Sequence, residues 1–399
     1  MSSADSERLT EHYFDWAATA IPDKEILHEA LEFSLLHWGN PSSIHKVGVD
    51  AKEALNFCRK KVANVLGVSE KNIFFTSGGT ESDHIPLLSV LNRPQKGEVV
   101  LSAIEHPAMH EIANSLKNCG LRIKYVNPNK NGIVSSENFL KSISDNTVFA
   151  SVMAVNNETG AIQPIYEIAD GLKKMCVGKR KPHFHVDCVQ VAGKIPLNLQ
   201  DSEIDSASFS AHKLGGARGS GILYLSREIN PFLRGGGQEN SIRSGTENLF
   251  ANYSCALSFE KYFVSEKNPK TYARFLEQRE YTADFIKKLL QTKGISIIPK
   301  NRNGEIENEV LYSPWIVQAS CKNIPGQVLQ RALSEKGFFI STGSACSSGR
   351  HSRPVLDNMS CSAEEKEGAV RFSFGFSTTK QAMDEAILAV QEIVQKFNE

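Results

Sequence analysis

The chain has 399 residues, 45 Lys+Arg against 45 Asp+Glu for zero formal net charge, and is 41% hydrophobic and 23% charged. That length exceeds what one simple core fills and predicts two domains in contact. The balanced charge argues against a protein built to coat nucleic acid or a membrane surface, and no apolar run is long enough to span a bilayer.

The start, "MSSADSERLTEH", lacks the basic, apolar, small-residue progression of a signal peptide. The eight cysteines are scattered without a CxxC pair, which argues against a disulfide framework or structural zinc and for a reducing, cytoplasmic location. Residues 50–67 put Ala51, Ala54, Leu55, Cys58, Val62, Val65 and Leu66 on one face. The pattern predicts an amphipathic helix begun by Asp50 and stopped by Gly67. Seven short apolar runs follow, at 72–77, 98–103, 122–126, 148–155, 183–187, 206–211 and 221–225. With helical patterns between several of them, they predict an α/β protein with a mostly parallel sheet covered on both faces. Past about residue 260 the pattern changes. A long amphipathic helix over 273–294 leads into shorter strands, and another over 380–397 closes the chain. The predicted division is a large domain over 13–260 and a smaller α+β domain over 261–399, onto which residues 1–12 pack.

Four stretches carry chemistry-bearing residues. "FFTSGGTESDH" (74–84) is a strand, a turn through Gly78, Gly79 and Thr80, and a helix start. Such a turn aims backbone amides at a phosphate, although by itself an ordinary glycine turn is the better account. "HVDCVQ" (185–190) ends an apolar run with a carboxylate where open α/β sheets place ligands, and Asp187 there could hold a pyridine nitrogen protonated. His183, His185 and Asp187 share one strand face, so a metal site is the competing and weaker account. "SAHKLGG" (210–216) puts Lys213 after a buried-looking strand. It reads equally as a surface lysine or as a partly desolvated amine able to form a Schiff base. "STGSACSSGR" (341–350) sets Cys346 among turn-forming residues, which predicts an exposed thiol on a mobile loop.

In chain order with "YFDWAATAIP" (13–22), "HWGNPSSIH" (37–45), "IEHPA" (104–108), "VNNETG" (155–160), "GGGQENSIRSGTEN" (235–248) and "VRFSFGFSTT" (370–379), these stretches resemble pyridoxal-phosphate (PLP) enzymes. The likeness is to the aspartate-aminotransferase fold type (PLP-dependent transferase fold type I, class V aminotransferase family). Within it, the NifS/IscS-like cysteine desulfurases are the most similar, over nearly the whole chain. The resemblance implies that Lys213 holds PLP as a Schiff base and that His106 stacks on the ring and moves protons. Asp187 would pair with the pyridine nitrogen and Gln190 with the ring hydroxyl. Gly79, Thr80, Ser210 and His212 would bind the cofactor, the last three at its phosphate. Asn157 would lie between ring hydroxyl and substrate carboxylate, and Arg371 would clamp that carboxylate. Thr246 would reach the phosphate in the neighbouring subunit of a homodimer.

The implied reaction converts L-cysteine to L-alanine, with Lys213 removing the Cα proton and Cys346 accepting sulfur as a persulfide. The implied partner is a sulfur-acceptor protein, an iron–sulfur scaffold or a tRNA-thiolation relay. Neither a metal ion, direct nucleic-acid contact nor a membrane is called for. A selenocysteine lyase or an aminotransferase on the same scaffold is the alternative, which Cys346 discriminates. A non-catalytic relative would lack Lys213, Asp187 or Arg371, and all three are present. Three stretches depart from the family's usual run, at Gly216–Arg218, at Asn240–Ser241 and at Phe376–Ser377.

Overall fold

The computed structural model describes residues 9–94, 97–343 and 353–398. Every predicted apolar run in the first part of the chain becomes a strand. These are β1 (Ile73–Thr76), β2 (Glu98–Ser102), β3 (Arg122–Val126), β4 (Thr147–Ser151), β5 (His183–Asp187), β6 (Ser206–Ser210) and β7 (Gly221–Leu225). They form one sheet in the order β1-β7-β6-β5-β4-β2-β3. β7 alone runs against its neighbours; β6, β5, β4, β2 and β3 pair in parallel.

Both faces of this sheet are covered, which is why its central strands read as unbroken apolar runs. On β2, Val99 and Leu101 pack toward Leu87 of α3 (Gly79–Leu88) and Met109 and Leu116 of α4 (Pro107–Asn118). Val100 packs the other way, in the core that holds Phe139, Ile168 and Leu172. Fully buried phenylalanines such as Phe149 and Phe184 each contribute about 2–3 kcal/mol through apolar burial. The edge strand β3 alternates exposed Arg122 and Lys124 with half-buried neighbours, which blunts its free edge.

The helix expected over 50–67 starts four residues earlier, at Lys46, and ends at Leu66. The ring of His45 caps it, Nδ1 accepting the Gly48 N–H at 3.3 Å. Asp50 therefore lies inside the helix and bonds His37 Nδ1 at 2.7 Å instead. Gly67 stops the helix as expected, in the left-handed conformation at φ 69°. The strand expected over 148–155 ends at Ser151, yet Ala154 still donates its N–H to Asp187 O at 2.9 Å. That bond carries the following loop, with Asn157, across the end of β5.

A second, antiparallel sheet has the order β10-β9-β8, from β8 (Ile295–Ile298), β9 (Ile316–Cys321) and β10 (Ala369–Ser373). Phe285 and Leu289 of a helix over Pro269–Leu289 and Met383 and Val390 of a helix over Lys380–Asn398 join its core. Phe14 enters the same core, and Phe14 N–H donates to Phe339 O at 2.8 Å. This strip runs on to Asp15, whose backbone bridges Ser373 of β10. Among the described residues, no helix is long and apolar enough to cross a membrane.

Candidate active site

The carboxyl ends of the parallel strands converge on one cavity of about 220 Å³. Gly79, Thr80, His106, Asn157, Asp187, Gln190, Ser210, His212, Lys213 and Arg371 all line it. Thr246 does not; it is exposed on its own chain. Cys346 lies outside the described residues.

One end of the cavity is a set of anion donors. α3 begins at Gly79, directly after β1 and the turn at Gly78. A Cβ on Gly79 would stand 2.6 Å from Val189 Cγ2, so only glycine lets this helix start approach the end of β5 so closely. The Thr80 and Ser210 hydroxyls and the His212 ring line the same end. His212 Nδ1 lies 3.0 Å from Thr19 Oγ1, and burial together with the positive charge of Lys213 pushes its pKa down to about 3.

The floor is a buried cluster of acids and imidazoles. Asp187 accepts the Val189 N–H at 2.8 Å, and burial, then the nearby Asp83, pushes its pKa up to about 7. Asp83, also fully buried and raised to about 7, accepts the Ser208 hydroxyl at 2.5 Å and sits 3.1 Å from His185 Nε2. His185 Nδ1 and His183 Nε2 both lie 2.8 Å from Ser206 Oγ. These bonds occupy both ring nitrogens of His185 and Nε2 of His183 within the sheet, which counts against the metal account. Burial pushes His185 down to about 4, so it is neutral near pH 7. Beside them Glu105 accepts the Ser102 hydroxyl at 2.6 Å and the Met153 N–H at 2.8 Å, and burial raises it to about 8.

Above the floor stand two bases. The Nζ of Lys213 donates to the carbonyls of Ala17 and Ala18 at 2.6 and 2.7 Å. His106 caps α4, its Nδ1 accepting the Ala108 N–H at 3.2 Å, which assigns its proton to Nε2. Burial and the positive charge of Lys213 push His106 down to about 4.

The far wall comes from the second sheet. Arg371 of β10 is 1% exposed and reaches back across the interface. Its Nη1 donates to Asn157 O at 2.9 Å and its Nη2 to Asp15 Oδ1 at 2.6 Å, while Nε is buried without a partner. Ser341 pairs with Arg371 through both backbone bonds, at 3.1 and 2.6 Å. Arg353 donates to Thr342 O at 2.6 Å. Residues 343 and 353, which flank the segment containing Cys346, are thereby tied beside this wall. Glu158 is buried near Arg371 and Arg353, and burial raises its pKa.

Sequence reasoning missed Asp15, Asp83, Glu105 and Glu158. Each falls inside a quoted motif, but only Asp15, between Phe14 and Trp16, is flanked by apolar residues on both sides; Asp83, Glu105 and Glu158 carry no such signal. The departure at Phe376 also has a setting. Its ring stacks on Tyr262 at 3.9 Å and meets Trp16 edge-on at 5.9 Å. Glu239, Asn240 and Ser241 all adopt positive φ, a backbone strained for side-chain-bearing residues. Glu239 is held there by Arg59, through contacts of 2.7 Å at both guanidinium ends.

The chain matches the aminotransferase class-V family over residues 12–385. The chain belongs to that family. Within it the chain stands with the cysteine desulfurases of the NifS/IscS kind. It is 35% identical to the cysteine desulfurase IscS of Methanosarcina thermophila, over 96% of this chain and 92% of that protein. It is 36% identical to a NifS-type homologue of Lactobacillus delbrueckii, over 97% and 98%. A solved NifS-like protein superposes with a TM-score of 0.84 at 34% identity, covering 97% of this chain and all of the other.

Members of this family depend on PLP, and the cavity suits it. Anion donors at one end fit a phosphate. Asp187, with no cation in ion-pair distance among the described residues, fits a protonated ring nitrogen. Lys213 supplies the amine.

Proposed function

We propose that the protein is a PLP-dependent cysteine desulfurase that takes sulfur from L-cysteine, releases L-alanine and leaves a persulfide on Cys346. The observation that carries this reading is one cavity lined by the Lys213 amine, the buried Asp187 carboxylate and the Arg371 guanidinium. Thr80, Ser210 and His212 would hold the phosphate, with Gly79 beside them at the cofactor; Asp187 would hold the ring nitrogen and Gln190 the ring hydroxyl. When bound, PLP supplies an electron sink that makes a Cα proton removable.

The residues divide the remaining work. Arg371 binds and orients the substrate carboxylate, for which a planar, always-charged guanidinium is suited. Asn157, which lines the same cavity, would lie between that carboxylate and the ring hydroxyl. Lys213 takes the Cα proton at Nζ, and His106, neutral because it is buried, moves a proton at Nε2. The Cys346 thiolate attacks the substrate sulfur. One C–S bond breaks, one S–S bond forms, and the carbon takes a proton. Cysteine plus thiol therefore yields alanine plus persulfide with no external oxidant or reductant.

The reading extends to a homodimer in which Thr246 reaches the partner's cofactor. It also gives a large domain over 13–260 with a smaller one over 261–399 and 1–12. It places the protein in the cytoplasm, with an acceptor protein that feeds iron–sulfur assembly or tRNA thiolation.

The test is alanine and sulfide release from L-cysteine with a thiol reductant, on wild type and Cys346→Ala side by side. Wild type should make both products; the variant should bind cysteine and make neither. Equal alanine from both would assign a different PLP reaction, a lyase or aminotransferase that ignores the thiol.

A further inference from the structure

Lys194 is a charged side chain beside the cavity that the proposed reaction leaves without a task. It follows Gly193, whose φ of 69° turns the chain back toward Gln190. A Cβ at Gly193 would stand 2.3 Å from Leu214 Cδ2, so this turn needs glycine. Lys194 is 4% exposed. Its backbone is pinned from the second sheet, where Trp315 Nε1 donates to Lys194 O at 2.6 Å. Among the described residues no carboxylate forms an ion pair with it, and its Nζ donates to Gln190 Oε1.

A lone buried lysine is costly to keep, and one with a neutral amide as its partner needs an account. Burial, and then the positive charges of Lys213 and Arg371, push it well below the usual lysine range. Charged or neutral, the amine still has protons to donate. Gln190 then has both ends of its amide assigned. Oε1 receives the lysine proton, and Nε2 donates to Ala17 O at 2.9 Å. A flipped amide would set its oxygen against the Ala17 carbonyl oxygen and take the acceptor away from the lysine's protons. With Oε1 held, the second Nε2 hydrogen is the amide's remaining donor, on a side chain that lines the cavity.

We infer that Lys194 is a positioning residue, which fixes the Gln190 amide so that an N–H, and not the carbonyl oxygen, is offered to the cofactor's ring oxygen. This rests on the PLP-dependent reading above. The lysine acts through the amide, so its effect should be carried by Gln190 and should vanish when Gln190 is gone.

The experiment records the absorbance of the PLP-loaded protein against pH for wild type, Lys194→Met, Gln190→Leu and the double variant. An N–H donor favours the anionic ring oxygen, and losing it makes the ring system hold its proton more tightly. Lys194→Met should therefore raise the pH midpoint of the spectral change by about one unit, about tenfold in the proton equilibrium. Gln190→Leu should raise it similarly, and the double variant should match Gln190→Leu. An unmoved midpoint in folded, loaded Lys194→Met overturns the inference, as does a further shift in the double variant.

Should Lys194→Met not fold, Lys194→Gln takes its place in the same cycle. It should give a smaller upward shift that disappears in the Gln190→Leu background; no shift, or one that persists there, overturns the inference. If wild type shows no PLP absorbance at all, the PLP-dependent reading has failed and not the role of Lys194.

Discussion

The floor of the cavity, around the ends of β5 and β6, keeps its acids and imidazoles near neutrality by burial, whereas at the wall Arg371 is held in an ion pair with Asp15. Asp187, Asp83 and Glu105 are all pushed up to about 7–8, and His185 down to about 4. Arg371 instead meets Asp15 at 2.6 Å. The floor is made from strand ends of one sheet and from α3, which carries Asp83. The wall gathers residues 15, 157 and 371, far apart in sequence, from two layers. A rigid floor of poised groups suits a cofactor whose protonation it sets, and a charged wall suits a substrate that comes and goes.

The largest expected break is at the reacting amine. Lys213→Ala should lower alanine formation by about a thousandfold or more, because it removes the proton acceptor. The same variant should lose the visible Schiff-base absorbance, which is read without any assay. At the wall, Arg371→Lys keeps the charge but loses the fork. It should lower kcat/KM for L-cysteine by about a hundredfold, near 3 kcal/mol, while PLP absorbance stays. A loss of PLP binding in that variant would erase the distinction between wall and floor.

The floor makes a prediction in pH. Glu105 has its folded pKa raised to about 8, so the folded state holds a proton the unfolded chain has released. Its stabilising contribution is complete below the unfolded value near 4.5 and is lost as pH rises through 8. His185 has the opposite sign, losing stability as pH falls from 6.5 toward 4. Between pH 6.5 and 8 the carboxyls act alone among these groups. Urea midpoints should show wild type losing stability over that window, and Glu105→Gln should remove about 1–2 kcal/mol of the loss. An identical slope in the variant would mean that Glu105 is ionised in the fold. The smallest effect is at Asp15. Asp15→Asn takes one partner from Arg371 and should change KM for L-cysteine about fivefold, near 1 kcal/mol, leaving the Lys213 absorbance untouched.

Much of the floor could be read in the chain because it is local. A strand run ending in Asp187, and another ending just before Lys213, are visible as apolar stretches capped by one charge. The glycine turn before Thr80 is equally local. The wall was legible only through the family resemblance. Nothing in the composition of residues 370–379 says that Arg371 crosses to Asn157 and Asp15. The buried acids Asp83 and Glu105 and the buried Lys194 escaped because burial belongs to the packed molecule. In sequence they look like ordinary surface charges. The helix start at Lys46 was missed because His45 is a cap whose side-chain bond is hard to foresee, while Asp50 carried the familiar signal.

The central claim is that sulfur passes from L-cysteine to Cys346. The most direct measurement is mass spectrometry of the PLP-loaded protein after one turnover with L-cysteine and no reductant, followed by peptide mapping. The account predicts one added sulfur atom on the peptide containing Cys346, matched by one alanine released per active site. Alanine released with no sulfur on that peptide would contradict it.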